Sequence, residues 1–135
     1  MTFEQLPKDW PTRSLSDPSL TPDVVDLCLK LSDRMQDSAL LLLCDHEGRL
    51  LQPVVIEQVD WHAIADERAQ LFHLFEHLEI PSVVVAVSSR KPINPGVVLR
   101  WLDTARRELS RVGVELLGFY CADMDEVWAP VESAA

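Results

Sequence analysis

Val83-Val-Val-Ala-Val-Ser-Ser-Arg-Lys-Pro-Ile-Asn-Pro-Gly96 decides the fold. The apolar run that opens it, set off by Pro81, has no polar face to offer water. Ser82 to Val87 therefore reads as a strand covered on both sides. After a polar loop, Asn94-Pro95 reads as a helix start, with a side-chain acceptor at the cap and Pro where an amide would go unpaired. Val98, Trp101, Leu102, Ala105, Leu109 and Val112 then recur at helical spacing, and Gly113 ends the helix. Val114 to Cys121 follows as a second apolar strand.

The upstream chain supplies the rest of a sheet. Ala39 to Cys44 is an apolar strand ended by Asp45-His46-Glu47-Gly48, a turn with Gly where positive φ is needed. Arg49 to Val59 returns as its hairpin partner, and Pro53 marks it as an edge or a bulge. Thr21-Pro22-Asp23 starts a helix whose stripe is Val24, Leu27, Cys28 and Leu31, running to about Met35. Asp66 to Glu79 is a second helix with Leu71, Leu74, Phe75 and Leu78 on one side. The expected order is helix-strand-strand-helix-strand-helix-strand, an α/β domain with a single mixed sheet and flanking helices. Residues 1–20, with Pro7, Pro11 and Pro18, read as an irregular arm. Residues 21–128 form the domain, and 129–135 end an acidic, largely irregular tail that begins at Asp123.

With 135 residues the chain fits one domain with a sizeable core. Its net charge of −10 argues against duplex nucleic acid and anionic membrane surfaces as partners. Cys28, Cys44 and Cys121 are odd in number and widely spaced, which excludes a disulfide framework or a Cys-rich zinc site. Met1 to Lys8 lacks the basic start and apolar run of a signal peptide, so a cytoplasmic protein is expected.

The order of elements, with Leu40-Leu-Leu-Leu-Cys-Asp-His-Glu-Gly-Arg-Leu50 and the segment 82–121, resembles the RadC-like branch of the JAB/JAMM (MPN) metalloprotease family. The resemblance implies a JAB/deaminase-like sheet with a zinc site in the loop after the strand 82–87. The family's His-x-His pair falls on Val87 and Ser89, and its Asp falls near Arg100, with Asp103 one turn later. Val cannot bind zinc and Ser is a poor ligand. The resemblance thus implies a metal-free relative, without catalytic residues or cofactor. It would act as a binding or structural module through a protein partner or through itself, possibly as a homodimer.

Two other readings stay open. His73-Leu-Phe-Glu-His77 matches the inverted zinc-protease motif, so His73 and His77 would hold a metal with Glu76 as base of a hydrolase. Both histidines would lie opposite the apolar stripe, facing solvent. Alternatively Ser88, Ser89, Arg90, Lys91 and Asn94, ahead of a helix, would bind an anion or small metabolite as a sensor. The lack of glycine between Ser88 and Asn94 excludes a P-loop. His46 in the hairpin turn and His62 beside Asp60 are lesser candidates. Asp123, Asp125 and Glu126 are too few and too close for a calcium loop. The arginines of the third helix alternate with Asp103 and Glu108 as intrahelical ion pairs. Trp10, Trp61 and Trp128 lie outside the apolar stripes and serve either an interface or the pinning of arm and tail.

Overall fold

A computed structural model gives the structure of the chain, and residues 6–130 are described. Five strands form one mixed sheet: β1 (Ala39–Cys44), β2 (Leu50–Ile56), β3 (Ser82–Ser88), β4 (Glu115–Ala122) and β5 (Val127–Trp128). Their spatial order is β2-β1-β3-β4-β5. β1 runs antiparallel to both β2 and β3, β3 and β4 are parallel, and β5 returns antiparallel to β4. The parallel pair needs a crossover, which α4 (Pro95–Arg111) supplies.

The uniform hydrophobicity of β1 and β3 now has its cause. Leu41, Leu43, Val83, Val85 and Val87 face α4 with Trp101, Phe72 and Phe75, while Leu40, Leu42, Val84 and Ala86 face α1 (Thr21–Cys28) with Leu15 and Leu20. Every residue of both strands is buried, because period-2 alternation feeds two cores rather than one. β2, carrying Pro53, lies at the sheet edge as expected.

Four local expectations are corrected. The first helix stops at Cys28, because Leu29 turns into the core with extended backbone and no exposure. A separate turn, α2 (Leu31–Arg34), follows. Leu27 and Leu31 are consequently 36% and 55% exposed rather than core. The second helix is α3 (Ala65–Gln70), followed by a 3-10 turn at His73–Glu76. Phe72 and Phe75 are both buried, and a spacing of three on one face suits the tighter helix. The acidic tail is not irregular throughout, since Val127–Trp128 adds β5. Residue 20 is no packing boundary, because Leu15 and Leu20 of the expected arm belong to the core. Of the tail 129–135, residues 131–135 lie outside the described residues. No described helix is long and apolar enough to cross a membrane.

Candidate binding cleft

The C-terminal ends of parallel strands, where a crossover helix begins, are where open α/β sheets place ligands. Here a cleft of about 290 Å³ lies between the β3–α4 loop, the first turn of α4 and the β4–β5 edge. Pro92, Ile93 and Pro95 form one wall, with Val98, Cys121 and Trp128 opposite; Asn94 and Pro130 complete it. Sheet register explains the assembly. Cys121 stands beside Val87 on β3 and beside Trp128 on β5, so the three form a row on the α4 face.

Asn94 spends its side-chain oxygen accepting from the Gly96 amide at 2.8 Å, capping α4. Burial pushes the Cys121 thiol up to about 12, so it stays protonated and is no nucleophile. Among the described residues, no carboxylate, imidazole or ammonium group lines the walls. Arg90 and Lys91 are exposed on the loop beside it.

Above the cleft, the loop that follows β2 is locked by tryptophans. Trp61 Nε1 donates to the Ser88 carbonyl at 3.0 Å, and Trp101 Nε1 donates to the Trp61 carbonyl at 2.9 Å. The two rings meet edge to face, 5.1 Å apart at 84°. Trp61 is thus a core residue that serves neither an interface nor the arm and tail, but holds the loop after β2. Trp10 packs half-buried beside the α1-side core, and Trp128 packs against the α4-side core.

Of the residues singled out for an anion site, Ser88 and Ser89 are drawn into the scaffold. Ser88 is fully buried, and both its amide and its hydroxyl donate to the Ser38 carbonyl. The Ser89 amide donates to the Ala122 carbonyl, and its hydroxyl donates to Asp37 Oδ1 at 2.7 Å. Asp37 holds a positive φ of 54°, a conformation that Asp tolerates better than most residues.

The metal candidates do not converge. His73 and His77 are exposed, and the segment between them is a 3-10 turn, so the helical i, i+4 relation that a shared zinc requires is missing. Glu76 is claimed by Arg111 of α4, whose hydrogen bond holds its carboxyl below the usual range. His73 Nε2 lies 3.9 Å from Glu108. Val87 is buried and apolar, Arg100 is exposed, and Asp103 pairs with Arg107 at 3.0 Å. Among the described residues no group of three His, Cys, Asp or Glu side chains is placed to hold an ion. His46 and His62 lie in turns whose carboxylates bond to backbone instead: Asp45 accepts from the Glu47 and Arg49 amides, and Asp60 from the His62 amide.

Sequence reasoning had Trp128 as an interface or pinning residue without placing it in this cleft, and it missed Pro130. The available signal was Asp123, whose side chain accepts from the Asp125 and Glu126 amides to make the turn that brings Val127-Trp128 back onto β4. The architecture defines the class, a three-layer α/β protein with one mixed sheet. No protein-family model, curated protein or solved structure matches the chain.

Proposed function

We propose that the chain is a non-catalytic binding module of the JAB-like kind, which takes an apolar side chain of a protein partner into the cleft between the β3–α4 loop and β5. The JAB-like reading is supported by the 82–88 strand lying parallel to 115–122 with α4 between them. The non-catalytic part of the reading rests on Val87, buried and apolar, and Ser89, tied to Asp37, at the positions that the resemblance gives to zinc ligands.

The observation that carries the binding reading is the composition of the walls. Among the described residues they are mostly apolar, and the side-chain oxygen of Asn94 is taken by a helix cap. A free metabolite is usually oriented by a few convergent polar groups, and the walls offer no convergent set. A partner's apolar side chain needs none there, because its backbone and flanking residues supply specificity at the rim. Arg90 and Lys91 beside the cleft favour an acidic flank on a chain whose own net charge is −10.

Panning a random peptide library on the purified protein tests this, with affinities measured by fluorescence anisotropy. Selected peptides carry a large apolar residue next to Asp or Glu. Ile93→Asp and Trp128→Ala each weaken them by about tenfold or more, the usual cost at an anchor pocket. Leu51→Gln, on the far edge strand, leaves them unchanged. Peptides indifferent to both cleft variants would refute the proposal.

A further inference from the structure

On the opposite face of β5 lies a second cleft of about 310 Å³, lined by Pro22, Asp23, Asp125, Glu126 and Val127. Val127 and Trp128 are consecutive in the strand, so they point to opposite faces. One edge therefore presents an apolar cleft on the α4 side and an acidic one on the α1 side.

Among the described residues, three acidic side chains and no basic one line this second cleft. Asp125 and Glu126 are exposed and need no explanation. Asp23 does. It is only 6% exposed, and its Oδ1 is buried without a hydrogen-bond partner among the described residues. A carboxylate in the first turn of α1 suits the helix dipole, but the dipole does not explain an oxygen stripped of every partner, which costs free energy in a folded chain. Burial accordingly raises the Asp23 pKa. Arg34, which reaches the Asp123 carbonyl near this cleft, is occupied elsewhere. It is buried, bonded to Asp26 at 2.8 Å, and donates to the carbonyls of Leu29 and Asp123.

We propose that this cleft is a binding site for an alkylammonium group, the head of a lysine side chain or of a free primary amine. An ammonium supplies donors for Asp23 and charge for Asp125 and Glu126. Pro22 and Val127 give apolar walls against which a methylene stem can lie. A divalent ion fits less well, since no three acidic groups among the described residues are placed around one point. The site is independent of the apolar cleft, and either proposal can fail alone.

The test is a titration of the full chain with n-butylammonium chloride and with Nα-acetyl-lysine methylamide, followed by amide chemical shifts. The expected result is saturable change confined to Pro22–Val25 and Asp123–Trp128, weakened about tenfold in Asp23→Asn by loss of a charge-assisted hydrogen bond. Asn is nearly isosteric with Asp, so the variant keeps the fold. Tighter binding of the lysine derivative assigns a protein partner, and tighter binding of the simple amine assigns a metabolite. No saturable change, equal binding by Asp23→Asn, or the same shifts produced by magnesium or calcium chloride overturns the proposal. So does amine binding that appears only after deletion of residues 1–5, which would give the cleft to the chain's own amino terminus.

Discussion

Replacing Trp101 by Phe tests whether the tryptophan pair is what fastens α4 and the loop after β2 onto the end of β3. The substitution keeps an aromatic ring in the core but removes the indole N–H that bonds the Trp61 carbonyl at 2.9 Å. Leaving that carbonyl unpaired in a buried site costs about 1–3 kcal/mol. Weakening the edge-to-face contact, now at 5.1 Å, costs roughly a further 0.5–1.5 kcal/mol. A total of roughly 2–4 kcal/mol is a large share of the about 5–15 kcal/mol that stabilises a typical domain. At an m-value of about 2 kcal/mol/M, the middle of the usual range, the urea midpoint falls by roughly 1–2 M. Far-UV circular dichroism is the suitable probe, because the substitution itself alters tryptophan fluorescence. Hydrogen exchange adds a local readout, with amides near Ser88 losing protection. A loss below about 1 kcal/mol, the net value of an ordinary hydrogen bond, would refute the reasoning. It would mean that water or a shifted chain replaces the bond at no cost.

Gly48→Ala destabilises by roughly 1–3 kcal/mol, since a side chain at φ +79° is strained and its Cβ would fall 2.4 Å from Ser14 Oγ; thermal melting checks this, and an unchanged Tm would contradict it. Arg34→Met removes a buried cation that holds the Leu29 and Asp123 carbonyls and the Asp26 carboxylate. A loss of roughly 3–5 kcal/mol by urea titration is expected from breaking one side of such a pair, and a neutral outcome would show that Asp26 and the carbonyls find water. Asp23→Asn acts in the opposite direction. The raised pKa of Asp23 means that the folded state holds its proton more tightly than the unfolded chain, so wild-type stability falls as pH rises through the folded value. Asn escapes that loss, so the variant is the more stable at pH 7. The advantage vanishes below the ordinary carboxylate value of 3.8, where both side chains are neutral, and a variant equally favoured in acid would contradict this.

The sheet was legible because its strands are unusual. Ala39–Cys44 and Val83–Val87 are apolar at every position, and only a strand with a core on each face needs that. α4 was legible because Asn94, Pro95 and Gly113 mark both ends of one continuous stripe. Helical spacing misled where the chain does not stay helical. Leu27 and Leu31 fit a period that Leu29 breaks by entering the core, and Phe72 with Phe75 obeys a period of three over a 3-10 turn. The cleft was half legible. Its loop and Val98 lie in the segment that decided the fold, but Cys121 and Trp128 join it through cross-strand register, which depends on a two-residue strand too short for a pattern. The serines beside Arg90 looked free because sequence cannot show that Ser38, Asp37 and Ala122 lie within hydrogen-bonding distance.

The proposal of a metal-free binding module stands or falls most directly on the zinc content of protein purified from zinc-supplemented culture without chelator. The expected result is zinc far below one ion per chain, unchanged in His73→Ala and His77→Ala. One zinc per chain, lost in either histidine variant, would contradict it and return the chain to the metal-dependent hydrolases.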